Sequence, residues 1–208
     1  MKTLLETDNG MCVVQATTAP EVEELIRLFE KIAEEQHWQP GDQLRAYPES
    51  SIHFGLMAGT SFIGGLQLVL GGNSKEGMPC LTVWPELDLR YQTDVADIAL
   101  LALDEKHRGQ NELFWPLCIE MWRYCERAGI TRLMVEATRE KQVLYRRFGW
   151  PLKAAGEVRL HWGEPCQPCW MTTAEINTEM ATKSSRGSLK YATIFSLMHR
   201  IRDSDERP

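Results

Sequence analysis

No stretch of this 208-residue chain approaches the ~20 consecutive apolar residues that a membrane-spanning helix needs. The opening MKTLLETDNGMCVV has one lysine and a short apolar stretch soon interrupted by Glu6 and Asp8. It lacks the long apolar region of a secretory signal, so a cytoplasmic location is expected. An overall basic excess is missing too: the net charge of -6 argues against a general nucleic-acid binder. Without a secretion signal, Cys12, Cys80, Cys118, Cys125, Cys166 and Cys169 are expected as reduced, mostly buried thiols rather than a disulfide framework. Repeats and low-complexity tracts are also lacking. What is present, 43% hydrophobic and 25% charged residues, is the balance of a soluble globular domain, with or without a decoration.

TTAPEVEELIRLFEKIAEEQHW opens with Thr18, Pro20 and Glu21, a capping-box start, and continues with Val22, Leu25, Ile26, Phe29, Ile32 and Ala33 at helical spacing. SSIHFGLMAGTSFIGGLQLVLGG reads as a hairpin, because a Gly/Thr/Ser cluster separates two apolar runs. After an irregular stretch over 73–94, VADIALLAL is a continuous apolar run, as a central strand would be. NELFWPLCIEMWRYCERAG is a second long helix ending at Gly129, and ITRLMVEAT is a strand. REKQVLYRRFG is a helix with Thr138 as N-cap, and EVRLHW and CWMTTAEI are further strands. Residues 178–188 read as a polar linker, followed by an amphipathic helix with Leu189, Ala192, Phe195, Met198 and Ile201 on one face. The expected division is therefore a domain over 1–177 and a linker, helix and charged tail over 178–208, the whole of α/β (α+β) class.

A strand, a loop and a helix start can face an anion with loop amides and the positive helix end. Here the loop is DEKHRGQNE, where Arg108 offers forked donors and Gly109 permits close backbone approach. On these residues alone a plain turn with a solvated arginine is the better account.

The stretch VADIALLALDEKHRGQNELFWPLCIEMWRYCERAGITRLMVEATREKQVLYRRFGW resembles the acyl-CoA-binding core of the GNAT acyltransferase superfamily. The resemblance implies a mixed, mostly antiparallel central sheet flanked by helices, with a splayed central strand pair that admits a pantetheine arm. It implies that Tyr145, in Y-x-x-x-G-W, sits beside the thioester sulfur as general acid. It also implies an oxyanion held by backbone around Leu101, Ala102 and Leu103, and a cofactor loop of Arg108, Gly109, Gln110 and Asn111. In R/Q-x-x-G-x-G/A this chain has Asn111 and Leu113 where the glycines belong.

RRFGWPLKAAGEVRLHWGEPCQPCWMTTAEI narrows the resemblance to the acyl-homoserine-lactone synthases and N-acyl amino acid synthases. By that likeness Asp97, in DIALL, stands at the acidic position of E-L-S-R-F and would deprotonate the incoming ammonium, while Leu100 replaces the arginine. Trp38 corresponds to a substrate-side tryptophan after the first helix, and the E-x-D-x-x-D cluster of those enzymes is missing. The co-substrate implied is acyl-CoA or acyl-phosphopantetheine on an acyl carrier protein, without a metal. Eleven Lys/Arg against seven Glu between Glu105 and Arg159 would suit an acidic carrier, with Arg123, Arg127, Lys141, Arg146 and Arg147 as contacts.

CQPC has metal-ligand spacing but no second pair, His161 and His107 carry little weight alone, and the tryptophans serve core packing or an acyl tunnel. The terminal helix, with Arg186, Lys190, Arg200 and Arg202, offers a face for a partner, a membrane surface or a homodimer, packing on its own domain being the simplest account. The expected function is an N-acyltransferase acting on the amine of a small molecule such as an amino acid. The alternatives are an acetyl-CoA-dependent relative and a non-catalytic protein that binds acyl thioesters or a partner.

Overall fold

The computed structural model describes residues 1–7, 10–73 and 77–199. Buried Leu4, Val13 and Val14 anchor an N-terminal pair of strands, β1 (Lys2–Glu6) and β2 (Met11–Ala16), which a reading focused on a leader segment passes over. α1 (Ala19–Glu35) follows, its start fixed by the Glu21 carboxylate accepting from the Thr18 amide at 3.1 Å. The hairpin is β3 (Ser51–Ala58) and β4 (Ser61–Leu70), and the central apolar run is β5 (Val95–Leu103). α2 (Phe114–Ala128) ends on Gly129 at φ 71°, the left-handed cap that glycine adopts without a Cβ penalty. β6 (Arg132–Ala137), α3 (Arg139–Arg147), β7 (Lys153–Ala154), β8 (Arg159–His161) and β9 (Glu164–Thr172) complete the sheet.

The sheet order is β1-β2-β3-β4-β5-β6-β9-β7, with β8 on β9, and every pair is antiparallel except β5–β6. This is a mixed, mostly antiparallel sheet flanked by helices. α1 covers one face through Leu25, Phe29, Met57, Phe62, Leu100 and Ala102. α2 and the C-terminal helices cover the other, over Phe54, Leu66, Ile98, Leu133 and Met171. No helix among the described residues is long and apolar enough to cross a membrane.

The C-terminal region differs from its sequence reading. Thr172 and Glu175 form a second capping box that starts α4 (Thr173–Ser185), so CWMTTAEI leaves the strand at Thr172 and most of the expected linker is helical. Ile176 and Met180, four apart, give this polar-looking helix its buried face. α5 (Leu189–His199) packs back on the domain through Ile194 and Met198, while Leu189 is exposed. Arg123, six percent exposed, pairs with Glu120 at 2.9 Å and donates to the Leu197 and Met198 carbonyls at the end of α5. It is therefore a structural cation and cannot present itself to a carrier protein. Arg200, Ile201, Arg202 and the charged tail lie outside the described residues.

Candidate active site

β5 and β6 run side by side for only three residue pairs: Val95 with Arg132, Ala96 with Leu133 and Asp97 with Met134. Beyond Asp97 the β4 register also shifts, from Leu68 opposite Ile98 to Gln67 opposite Leu100, leaving Ala99 as the extra residue of a bulge. A bulge bends and over-twists its strand. Ile98–Leu103 accordingly stays with β4 while Val135–Ala137 stays with β9, and the sheet splits between them.

A narrow cleft of about 70 Å³ occupies the split. Ile98, Ala99, Leu100 and Leu101 line one wall, Val135 and Glu136 the other, with Trp38, Lys141, Tyr145, His161, Trp162, Glu164 and Cys166 around the mouths. Tyr145 belongs to the core on the α2 side, whereas Leu100, Trp38 and Trp162 pack with the α1 side. The opening thus passes through the sheet and can receive two reactants from opposite faces.

Tyr145 is buried against Trp150, with ring centroids 4.9 Å apart, and burial pushes its phenol well above the usual range. At neutral pH it carries its proton. Asp97 is completely buried behind the cleft, where the Cys80 amide donates to it at 2.9 Å. The Cys80 thiol and the Asp97 and Glu136 carboxyls lie within 4.8 Å of one another. Burial raises the Cys80 thiol strongly, so it stays protonated. Burial, and then the Asp97 charge, holds Glu136 well above the carboxylate range, and burial lifts Asp97 as well. Two carboxyls this close cannot both ionise, so they share one proton. That shared proton accounts for Asp97 Oδ1 and Glu136 Oε1, both buried without another partner.

Glu136 is the residue the sequence reading missed. A lone glutamate in LMVEAT looks like the solvent side of a strand, but Met134 and Glu136 share a face with Asp97, and a loop over residues 77–94 covers it. His161 also lines the cleft with both ring nitrogens buried and unpartnered, and burial lowers it to about 4, so it is neutral at pH 7. Lys141 bonds Glu164 at 3.0 Å and lies 4.4 Å over the Trp38 ring, which faces Trp162 at 6.2 Å.

The other sequence-selected residues are dispersed. Leu101 lines the cleft, whereas Ala102 and Leu103 turn into the two cores. Arg108 is ion-paired to Glu35, Gly109 takes φ +83° with open space beside it, and Gln110 Nε2 donates to the Lys106 carbonyl at 3.3 Å. Asn111 opens the short turn before α2, whose start has no side-chain cap. Cys166 and Cys169 are three apart on β9 and point to opposite faces, so CQPC does not converge on one ion.

No protein-family model and no curated protein matches the chain. Solved structures do. FeeM, an N-acyl amino acid synthase from uncultured soil microbes, superposes with a TM-score of 0.69 at 14% identity, covering 81% of this chain and 94% of that one. BjaI, a CoA-dependent acyl-homoserine lactone synthase solved with SAM and isopentyl-CoA, gives 0.63 at 14% identity, covering 83% and 89%. A GNAT-family acetyltransferase from Staphylococcus aureus Mu50 gives 0.55 at 11% identity, covering 79% and 99%. The fold is that of the GNAT acyltransferases. At such identities the likeness is one of architecture, and the chemistry of this GNAT-like cleft has to be argued from its own residues.

Proposed function

We propose that this protein is an N-acyltransferase that moves an acyl group from a pantetheine thioester to the amine of a small molecule such as an amino acid. The observation that carries this reading is the split between β5 and β6, with Tyr145 on one side and the Glu136–Asp97 pair on the other. An ammonium entering near Trp38 and Glu136 loses a proton to the carboxyl pair. The free amine then attacks the thioester carbonyl, whose oxygen faces the backbone of the open β5 edge between Ala99 and Leu101. As the C–S bond breaks, Tyr145 gives its proton to the departing thiolate and regains one from the nitrogen, which sheds its extra proton as the amide forms. The products are an amide and a free thiol.

The donor is acyl-CoA or acyl carrier protein, with its phosphates near Arg108–Asn111 and the uncapped start of α2. The bound acyl-CoA named for BjaI supports a CoA donor. Incubation with a panel of acyl-CoAs and acyl carrier proteins plus mixed amino acids, followed by thiol release and mass spectrometry, tests the proposal. An amide product diminished by Tyr145→Phe supports it.

A second reading, a non-catalytic binder of acyl thioesters, is favoured by two features of the loop: Arg108 is engaged by Glu35, and Asn111 and Leu113 occupy the glycine positions. Saturable thioester binding with no product across the panel selects it.

A further inference from the structure

A second cavity, about 570 Å³, lies between the N-terminal half of α1, the sheet and the segment over 44–51. Its volume is in the range of small-molecule sites. Ala16, Val22, Ile26, Leu44, Tyr47 and Pro48 form apolar walls. Arg45 and Glu23, at the rim, neutralise each other at 2.5 Å, and Arg45 also reaches Glu30.

Gln15, Thr17, Thr18 and Ser51 add polar groups to the lining, and two further polar side chains, from adjacent strands, are deeply buried in it. His53 on β3 and Gln67 on β4 are directly paired in register, so they stand side by side on the α1 face, and they are 5% and 2% exposed. His53 Nε2 and Gln67 Oε1 are both buried without a partner. The amide orientation of Gln67 is set by its nitrogen, which donates to the Leu44 carbonyl at 3.4 Å and to Ser51 Oγ at 3.1 Å. Its oxygen is thereby left to accept. Burial lowers His53 to about 4, so at neutral pH it adds no charge and its Nε2 can complement a hydroxyl or an amide. A buried polar atom left unsatisfied costs about 1–3 kcal/mol. Two of them side by side on one wall of a roomy cavity form a built recognition edge.

We infer that this cavity is a second ligand site, distinct from the split, for a small neutral molecule with an apolar body and a hydroxyl or amide N–H donor that Gln67 and His53 receive. A carboxylate is the poorer fit, because the fixed Gln67 oxygen repels it and the rim arginine is already paired. The site stands whether or not the split transfers acyl groups. Gln67 is opposite Leu100, a cleft-lining residue, and the segment after α1 gives Trp38 to the cleft and Leu44–Pro48 to this cavity.

The test is isothermal titration and saturation-transfer NMR on the full chain with three probes of one skeleton: 3-phenylpropan-1-ol, 3-phenylpropanamide and 3-phenylpropanoate. The alcohol and amide should bind at least about tenfold more tightly than the carboxylate. Gln67→Met and His53→Leu should each weaken them about tenfold or more; the thermal midpoint should hold or rise in His53→Leu, where an unsatisfied buried group gives way to an apolar one, and fall in Gln67→Met, which also loses the bonds to the Leu44 carbonyl and Ser51 Oγ. Glu136→Gln, which alters only the split, should leave their binding unchanged. No saturable binding by the folded wild type, or affinities unmoved by both cavity substitutions, overturns the proposal and leaves a cavity that holds only solvent. Acyl transfer to other amines with no cavity binding would sink this site and leave the proposed function intact.

Discussion

The two halves of β5 are built from the same kinds of residue and meet different fates. Ala96 and Asp97 have a strand on each side, whereas Ile98–Leu103 has β4 on one edge and the cleft on the other. One inserted residue, Ala99, separates them. A sheet interior opens into a cleft without losing strand order or its two cores, because the bulge changes the edge of the strand and leaves its faces intact.

The sharpest way to break that contrast is to delete Ala99. Ile98 already faces the α2 core and Leu100 the α1 core, so excision leaves both on their own sides and restores regular pairing with β4. The expected result is a folded protein whose acyl transfer falls by about 10³-fold or more, since displacement of reacting groups by about 1 Å already costs about 10²-fold. Circular dichroism and thiol release measured together check it. Next in size is Glu136→Gln, which keeps the shape of the wall and removes one carboxyl of the proton-accepting pair. The turnover number should drop by roughly 10³-fold with the acceptor Michaelis constant little changed. Tyr145→Phe, on the opposite side, should cost about 10²-fold, and less with thioesters whose thiol leaves more readily.

The smallest effect is on stability. His161 and His53 are lowered to about 4 by burial, so their contribution is complete above their unfolded value near 6.5 and is lost as the pH falls through about 4. The raised Asp97 and Glu136 act in the opposite sense, contributing at low pH and losing that contribution as the pH rises through their folded values. Urea unfolding between pH 7 and 4 measures the balance, and His161→Leu, which removes one of the two contributions lost in acid, should shift it toward greater relative stability at low pH.

Much of the architecture is legible in residues alone. The capping box at Thr18, the unbroken apolar run of β5, Gly129 and Gly149 closing their helices, and Tyr145 before the second glycine all report local physics. α4 is harder to read because its apolar face is only Ile176 and Met180 amid threonines and charges, and its helical state depends on packing against the sheet. The bulge at Ala99 has no local signature, being a matter of how β5 aligns with a strand about thirty residues earlier. Glu136 is unreadable for the same reason: its burial comes from Asp97 and a loop remote in sequence, which turn an ordinary strand carboxylate into half of a proton-sharing pair.

The open edge of β5 has one more consequence. Unpaired strand edges are templates on which other chains assemble, and proteins commonly guard them with charge or proline. Here the exposed edge lies inside the sheet, flanked by Trp38, Trp162 and Lys141, and a passing strand would have to unseat the β8–β9 hairpin to reach it. The same walls therefore exclude a polypeptide ribbon. Weakening them by Trp162→Gly would be expected to show first as aggregation on storage.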